Sequence, residues 1–359
     1  MTADPPPRPW LVTGASGFLG RHLLQVLGAI RHPPPVLALV RDRQAWARLD
    51  WTSRLERVLV LEGSVTESER WASDPLLEGL GGIFHLAAVV SHRRRDAGHV
   101  SRTIVEGTLA MVRLAAAHRC RLVFVSTSGT VGCFSRPGEI ADEDAPYCDD
   151  QVRNWPYYRS KIQAERESRR LAAEFGVELV IARPPVLLGP GDHRFRSTGY
   201  VLRFLRGRVP FVIRGGMHFA DVRDIARALV RAMERPRVRP VYHFPGTICT
   251  IQEFFALVAE VSGKPPPRLV LPFRPAWWLA LLTARLGIEA LPDPSVIEMA
   301  SRHWAVRSRY AEQDLGYRSR PARETMAETV AWLRANHPAL AGSKDAPGLS
   351  RPRGAAGDR

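Results

Sequence analysis

Short continuous apolar runs alternate with amphipathic stretches through the first half of the chain. Residues 36–40, 57–61, 82–86, 121–125 and 178–182 are runs of strand length, and residues 10–12 form a shorter one. Unbroken apolar runs suit central strands of a parallel sheet covered on both faces. Between them, apolar residues recur at helical spacing over 21–27, 44–49, 67–80, 96–117 and 158–175. Strands alternating with helices over this length predict a doubly wound α/β fold. The pattern loosens after Pro184-Pro185 and Gly189-Pro190-Gly191-Asp192, which mark a loop. Beyond it, 209–213 and 241–244 read as strands, and 222–234, 251–263, 294–304 and 323–335 as helices. No internal repeat is visible.

Composition narrows the class. A chain of 359 residues with 45% apolar content can bury a large core in one domain or two interlocked ones. Cys120, Cys133, Cys148 and Cys249 have no C-x-x-C spacing and predict reduced thiols rather than a zinc site or a disulfide scaffold. The net charge of +15 is almost all arginine, since the lysines are Lys161, Lys264 and Lys344. The basic residues are scattered, apart from Arg93-Arg94-Arg95 and an Arg-rich C-terminus, and no nucleic-acid motif accompanies them. The charge therefore suits an anionic cofactor or substrate better than a nucleic acid. Residues 1–9 lack the apolar segment of a secretory leader, and no run reaches the roughly 20 residues of a membrane span. A cytoplasmic location is the expectation. The run Ala276-Trp277-Trp278-Leu279-Ala280-Leu281-Leu282 reads as a packed helix; tryptophans beside arginines also suit weak contact of 276–286 with a membrane surface.

Three stretches carry chemistry. Thr13-Gly14-Ala15-Ser16-Gly17-Phe18-Leu19-Gly20 joins the first strand to the first helix. Such a turn is a pyrophosphate cradle: Gly14 allows the tight turn, Gly17 lets backbone N–H groups approach phosphates, and Gly20 permits close packing of the helix. Tyr157 and Lys161 lie four apart at a helix start and share one face, whereas Tyr158 points elsewhere. An ammonium near a phenol lowers the phenol pKa, which makes Tyr157 a candidate general acid/base. Ser126-Thr127-Ser128-Gly129-Thr130 follows a strand, where open α/β sheets bind ligands.

Taken in order, 13–20, Phe84-His85-Leu86-Ala87-Ala88, 125–132, 157–161 and Arg183-Pro184-Pro185-Val186-Leu187-Leu188-Gly189-Pro190-Gly191-Asp192 resemble the motifs of the extended short-chain dehydrogenases/reductases, the NAD-dependent epimerase/dehydratase family. The segments 218–228 and 304–332 resemble its later signatures, so the likeness covers about 9–336. It implies a Rossmann-type doubly wound sheet over 9–186, rejoined by about 218–245. A smaller, mainly C-terminal α/β substrate-binding domain would be formed by 187–217 and 246–336. Residues 1–8 and 337–359 are expected to be disordered.

The resemblance further implies Tyr157 as acid/base, Lys161 on the nicotinamide ribose and Ser128 on the substrate oxygen, with no metal. Gly14, Ser16, Gly17, Phe18, Leu19 and Gly20 would form the phosphate loop. Leu86, Ala87, Ala88, Ser126, Pro184 and Val186 would line the cofactor groove, and Ser64 would meet the adenine. Ile104 stands where the family often has asparagine, Gly63-Ser64 replaces Gly-Asp, and Gly132-Cys133 replaces Tyr-Gly. Arg41, first after the second strand, favours NADP; Asp42 keeps NAD as the alternative. The 38–42 run and the proline-rich 265–272 segment are similar to the dihydroflavonol reductase and 3β-hydroxysteroid dehydrogenase branches. These imply hydride exchange with a ketone or secondary alcohol and a homodimer. Nucleotide-sugar epimerisation with tightly bound NAD, and NADP sensing without catalysis, are the alternatives.

Overall fold

The computed structural model describes residues 8–55, 57–287 and 291–337. Most of the disorder expected at the two ends therefore falls outside the described residues. Seven parallel strands form the main sheet: β1 (Trp10–Thr13), β2 (Val36–Val40), β3 (Val58–Glu62), β4 (Gly82–His85), β5 (Arg121–Val125), β6 (Leu179–Arg183) and β7 (Val241–His243). Their spatial order, β3-β2-β1-β4-β5-β6-β7, reverses direction at β1, beside the first glycine turn. That reversal opens the crevice in which doubly wound sheets bind ligands.

Helices cover both faces. α1 (Phe18–Gly28) packs on a later helix, Val222–Glu234, burying Leu23, Leu24 and Leu27 with Ile225 and Leu229. α2 (Arg43–Ala47) follows β2 and is capped by Asp42, whose carboxylate accepts from Ala45 N–H at 2.8 Å. On the other face lie α3 (Gly107–His118) and α4 (Pro156–Phe175). The predicted 96–117 helix is interrupted by a π-helical turn, Arg102–Glu106. Within it Ile104 is buried among Phe124, Ala164 and Ile181, so an apolar contact replaces the polar one expected of asparagine.

The remaining strands form smaller sheets. Val186–Leu188, Gly216–Asp221 and Thr247–Thr250 form a three-stranded sheet, and Phe211–Ile213 pairs with Leu269–Leu271. Continuing the chain order, the helices are α5 (Val222–Glu234), α6 (Ile251–Ser262), α7 (Phe273–Arg285), α8 (Pro294–Ala300) and α9 (Ala322–Asn336).

Two predicted helices are corrected. Residues 67–80 contain only the 3-10 turns Ser68–Arg70 and Pro75–Leu77. Pro75 lacks an N–H and Gly79 sits at φ +69°, while Trp71, Leu77 and Leu80 reach the core from turns. The helix predicted over 294–304 ends at Ala300, and His303–Trp304 pairs as a strand with Cys133–Phe134. All four cysteines are free thiols.

Candidate active site

The glycine turn has the geometry of a phosphate cradle. Gly14 lies at φ +67°, and a Cβ there would sit 2.8 Å from the Ala87 backbone nitrogen. A Cβ on Gly20 would overlap the Gly14 and Ala15 carbonyls, so this glycine packs the helix against its own turn rather than against the sheet. Gly17 is the N-cap of α1, without a side-chain cap, and the first turn holds no carboxylate. The positive end of the helix dipole is thus uncompensated, as anion binding requires. Arg194, which the sequence reading missed, donates to Ser16 Oγ at 3.4 Å and brings a guanidinium to the turn.

A directional hydrogen-bond chain braces this region. Thr108 Oγ1 spends its proton on the Ile104 carbonyl (2.5 Å) and so accepts from His85 Nε2–H (3.2 Å). This leaves His85 Nδ1 to accept from the Thr13 hydroxyl (2.8 Å), whose oxygen in turn accepts Ala87 N–H (3.2 Å). Burial, reinforced by nearby Lys161, drops the His85 pKa to about 3 and keeps the ring neutral. Leu86 N–H reaches the Thr13 carbonyl at 3.3 Å, completing the link between β1 and β4.

Ser64, Phe18 and Leu19 fall near these elements. Ser64 Oγ is paired with Thr66 Oγ1 at 2.9 Å, and Ser64 O accepts from Trp71 Nε1. Phe18 and Leu19 open α1. Arg41 is exposed just past β2.

Beyond β5 and β6 lies a cavity of about 340 Å³. Ser128, Tyr157, Tyr158, Pro184, Val186 and His218 are all in its wall. The Ser128–Thr130 turn is tied to the neighbouring strand by Ser128 N–H to the Pro184 carbonyl (2.9 Å) and by Ser126 N–H to the Ala182 carbonyl (2.7 Å). Pro156 starts α4 at a position where its missing N–H costs nothing, and this sets Tyr157 in the first turn. Tyr157 packs edge-on to His92, while Tyr158 stacks on His92 and Trp304. Tyr158 lines the same cavity as Tyr157.

The electrostatics differ from the expectation. Burial raises the Tyr157 pKa instead of leaving it lowered by Lys161. Lys161 Nζ donates to the Val125 carbonyl at 2.7 Å and lies 4.7 Å from the Phe124 ring centroid. Burial, opposed by Glu165, brings its own pKa down to about 7, so its ammonium charge is weakened near neutral pH. Four-residue spacing put both groups on one face, but the ammonium turns to the strand.

Behind the turn sits Glu165, which the sequence reading also missed. It is fully buried and accepts from Ser126 Oγ (2.5 Å), Thr130 Oγ1 (3.2 Å), Tyr147 Oη (3.1 Å) and Arg183 Nη2 (2.5 Å). Arg183, though opposed by burial, holds its carboxyl below the usual range. The Ser126 hydroxyl is therefore committed to this hub. His218, 2% exposed, accepts Gly246 N–H at Nε2 (2.8 Å), which places its proton on Nδ1. That Nδ1–H has no protein partner among the described residues.

A dinucleotide fold, an anion-binding turn at the strand reversal, and a tyrosine with a lysine at the sheet's C-terminal edge define an NAD(P)-dependent oxidoreductase class. The chain belongs to the NAD dependent epimerase/dehydratase family, whose model matches residues 10–244; its members are enzymes of the extended short-chain dehydrogenase/reductase type. It is 29% identical to sterol demethylase protein B of Methylococcus capsulatus, over 90% of this chain and 98% of that protein. It is 31% identical to dihydroflavonol 4-reductase of Zea mays, over 70% and 73%. UDP-glucose 4-epimerase of Thermotoga maritima shares the fold, with a TM-score of 0.72 at 20% identity, over 91% of this chain and 99% of that one.

Proposed function

We propose that the chain reduces a ketone, or oxidises the matching secondary alcohol, on a largely apolar substrate, with NADP as its preferred cofactor. The observation that carries this reading is the shared cavity. Tyr157 and Ser128 stand in one wall, and the rest is dominated by Val90, Phe211, Ile213, Phe255, Val296 and Met299. Such a lining favours a compact apolar carbonyl compound.

When bound, the nicotinamide supplies or accepts the hydride at C4. The residues do the rest. Ser128 donates to the substrate oxygen, and Tyr157 passes its proton to that oxygen as the alcohol forms. A phenol kept protonated by burial can donate in this step, and in the reverse oxidation the phenolate takes the proton back. Lys161, one of whose N–H donors is held by the Val125 carbonyl, would offer its other donors to the ribose hydroxyls. The Nδ1–H of His218 meets a second polar atom of the substrate. The Gly14–Gly20 turn and Arg194 hold the pyrophosphate, while Leu86, Ala87, Ala88, Pro184 and Val186 line the groove. The division into a dinucleotide-binding domain (9–186 with 218–245) and a substrate-binding lobe follows from this reading.

Arg41 supports NADP because Asp42, its competitor for the ribose, is already used as the cap of α2. Fluorescence titration should give tighter binding of NADPH than NADH. Arg41→Ala should remove roughly tenfold or more of that preference, the worth of one charge-assisted hydrogen bond. Equal affinity for both cofactors in the wild type overturns the assignment. Tyr157→Phe should cut turnover by about 10²-fold or more while cofactor binding persists. Wild-type turnover in that variant removes Tyr157 from the mechanism.

Arg196, Arg203 and Arg208 also line the cavity and favour a second reading, epimerisation of an anionic nucleotide sugar. That enzyme would purify with tightly held NAD and epimerise without added cofactor. Absence of both leaves the reductase.

A further inference from the structure

The helix α7 carries apolar residues on both of its sides. Its inner stripe, Ala276 and Ala280, is fully buried against Phe211, Ile213 and Ile297. Those three residues also belong to the cavity wall, so α7 lies one layer of side chains from the cavity. Trp277 fixes the helix by donating its indole N–H to Glu298 Oε1 of α8 at 2.9 Å. The outer stripe consists of Trp278, Leu279, Leu282 and Leu286, spaced i, i+1, i+4 and i+8 on one helix face. It is open to solvent: Trp278 is 62% exposed, Leu282 55% and Leu286 63%. The preceding strand adds exposed Leu269 and Val270.

The segment that carries this stripe is basic. Residues 264–287 hold Lys264, Arg268, Arg274 and Arg285 and no carboxylate. At 100° per residue, Arg274 and Arg285 fall along one edge of the apolar stripe, and both are exposed. A second copy of the chain is a poor occupant: two-fold pairing of the helix with itself would bring Arg274 and Arg285 of the two copies together, with no acid in the segment to offset them. A bilayer bearing anionic headgroups satisfies both features, accepting the apolar stripe at the acyl boundary and the guanidiniums at the phosphates.

We propose that α7 docks the protein on an anionic lipid surface, seating the wall of the apolar cavity against the bilayer. This does not depend on which reaction the cavity performs, and its test uses no cofactor or substrate.

The full chain is sedimented with vesicles of phosphatidylcholine alone and with vesicles containing phosphatidylglycerol, with tryptophan emission read in parallel. Binding to the mixed vesicles with a blue shift is expected, and weaker binding to the neutral ones. Leu279→Glu with Leu282→Glu should weaken binding by about tenfold or more, since the stripe can no longer enter the acyl boundary. Arg274→Gln and Arg285→Gln should each weaken it by roughly fivefold on the anionic vesicles only. The variants' melting temperatures and NADPH affinities should match the wild type, because these side chains face solvent. A wild-type chain that stays in the supernatant with both vesicles overturns the proposal, as does undiminished binding by the double glutamate variant. A wild-type dimer that the same variant converts to monomer, with no vesicle binding, assigns the face to a second copy and also overturns it.

Discussion

Replacing Lys161 with methionine should make the folded protein more stable at neutral pH while abolishing activity. The lysine is 1% exposed, and burial brings its pKa from 10.5 to about 7. Between those values the unfolded chain holds a proton that the folded chain releases. Stability from this group therefore rises with pH through that window, and the deficit is largest below pH 7. At 1.36 kcal/mol per pKa unit, the deficit at pH 7 is about 4 kcal/mol. Methionine removes it but leaves the Val125 carbonyl without its 2.7 Å donor, a loss of roughly 1–3 kcal/mol. The net gain at pH 7 is then about 2 kcal/mol. It should shrink by about 1.4 kcal/mol per pH unit and vanish near about pH 9. Urea unfolding of both cofactor-free proteins between pH 7 and pH 9 gives the difference directly, because His85 and Glu165, which interact with Lys161, keep one protonation state in the folded protein over that range. A variant less stable at pH 7, or a difference that does not change with pH, would refute the argument that burial of the ammonium dominates.

Glu165→Ala leaves the Arg183 guanidinium buried and unpaired, and should lower stability by about 3–5 kcal/mol in thermal or urea melts. A loss below about 1 kcal/mol would show that the hub is dispensable. Acid should destabilise the fold early. Burial holds the folded pKa of His22 and His243 at about 4, and of His85 and His218 at about 3. Because these lie below the ordinary imidazole value of 6.5, stability falls as pH drops below 6.5. At pH 4 each buried imidazole accounts for up to about 3 kcal/mol. Urea midpoints that stay level between pH 6.5 and pH 4 would contradict the neutral, buried state of these rings.

The strand-rich first half was legible because buried parallel strands are written as local apolar runs, and the glycine turn because Gly14 and Gly20 answer to local geometry. The 67–80 segment was misread since Trp71, Leu77 and Leu80 mimic helical spacing while a proline and a left-handed glycine break the chain. Residues 294–304 failed for another reason: Trp304 is drawn into pairing with Cys133, a contact far along the sequence. The same distance hid parts of the site. Arg194 meets Ser16 across 178 positions, and Thr13 meets His85 across 72. Tyr157 and Lys161 were found by spacing, but spacing cannot say that the ammonium would choose the Val125 carbonyl.

The Glu165 hub gives the cavity two unlike jaws. One carboxylate grips the Ser126–Thr130 turn from β5 and Arg183 from the end of β6, so the edges bearing Ser128 and Pro184 move as a single block. The opposing jaw, with Leu291, Val296 and Met299, presents apolar side chains, and indole N–H groups of Trp155 and Trp277 tie its helix down at Glu298. Apolar walls tolerate exchange of side chains of similar volume at small cost, whereas the hub tolerates none. On the proposed function, exchange of apolar side chains on the α8 jaw is the place to begin redesign of substrate preference.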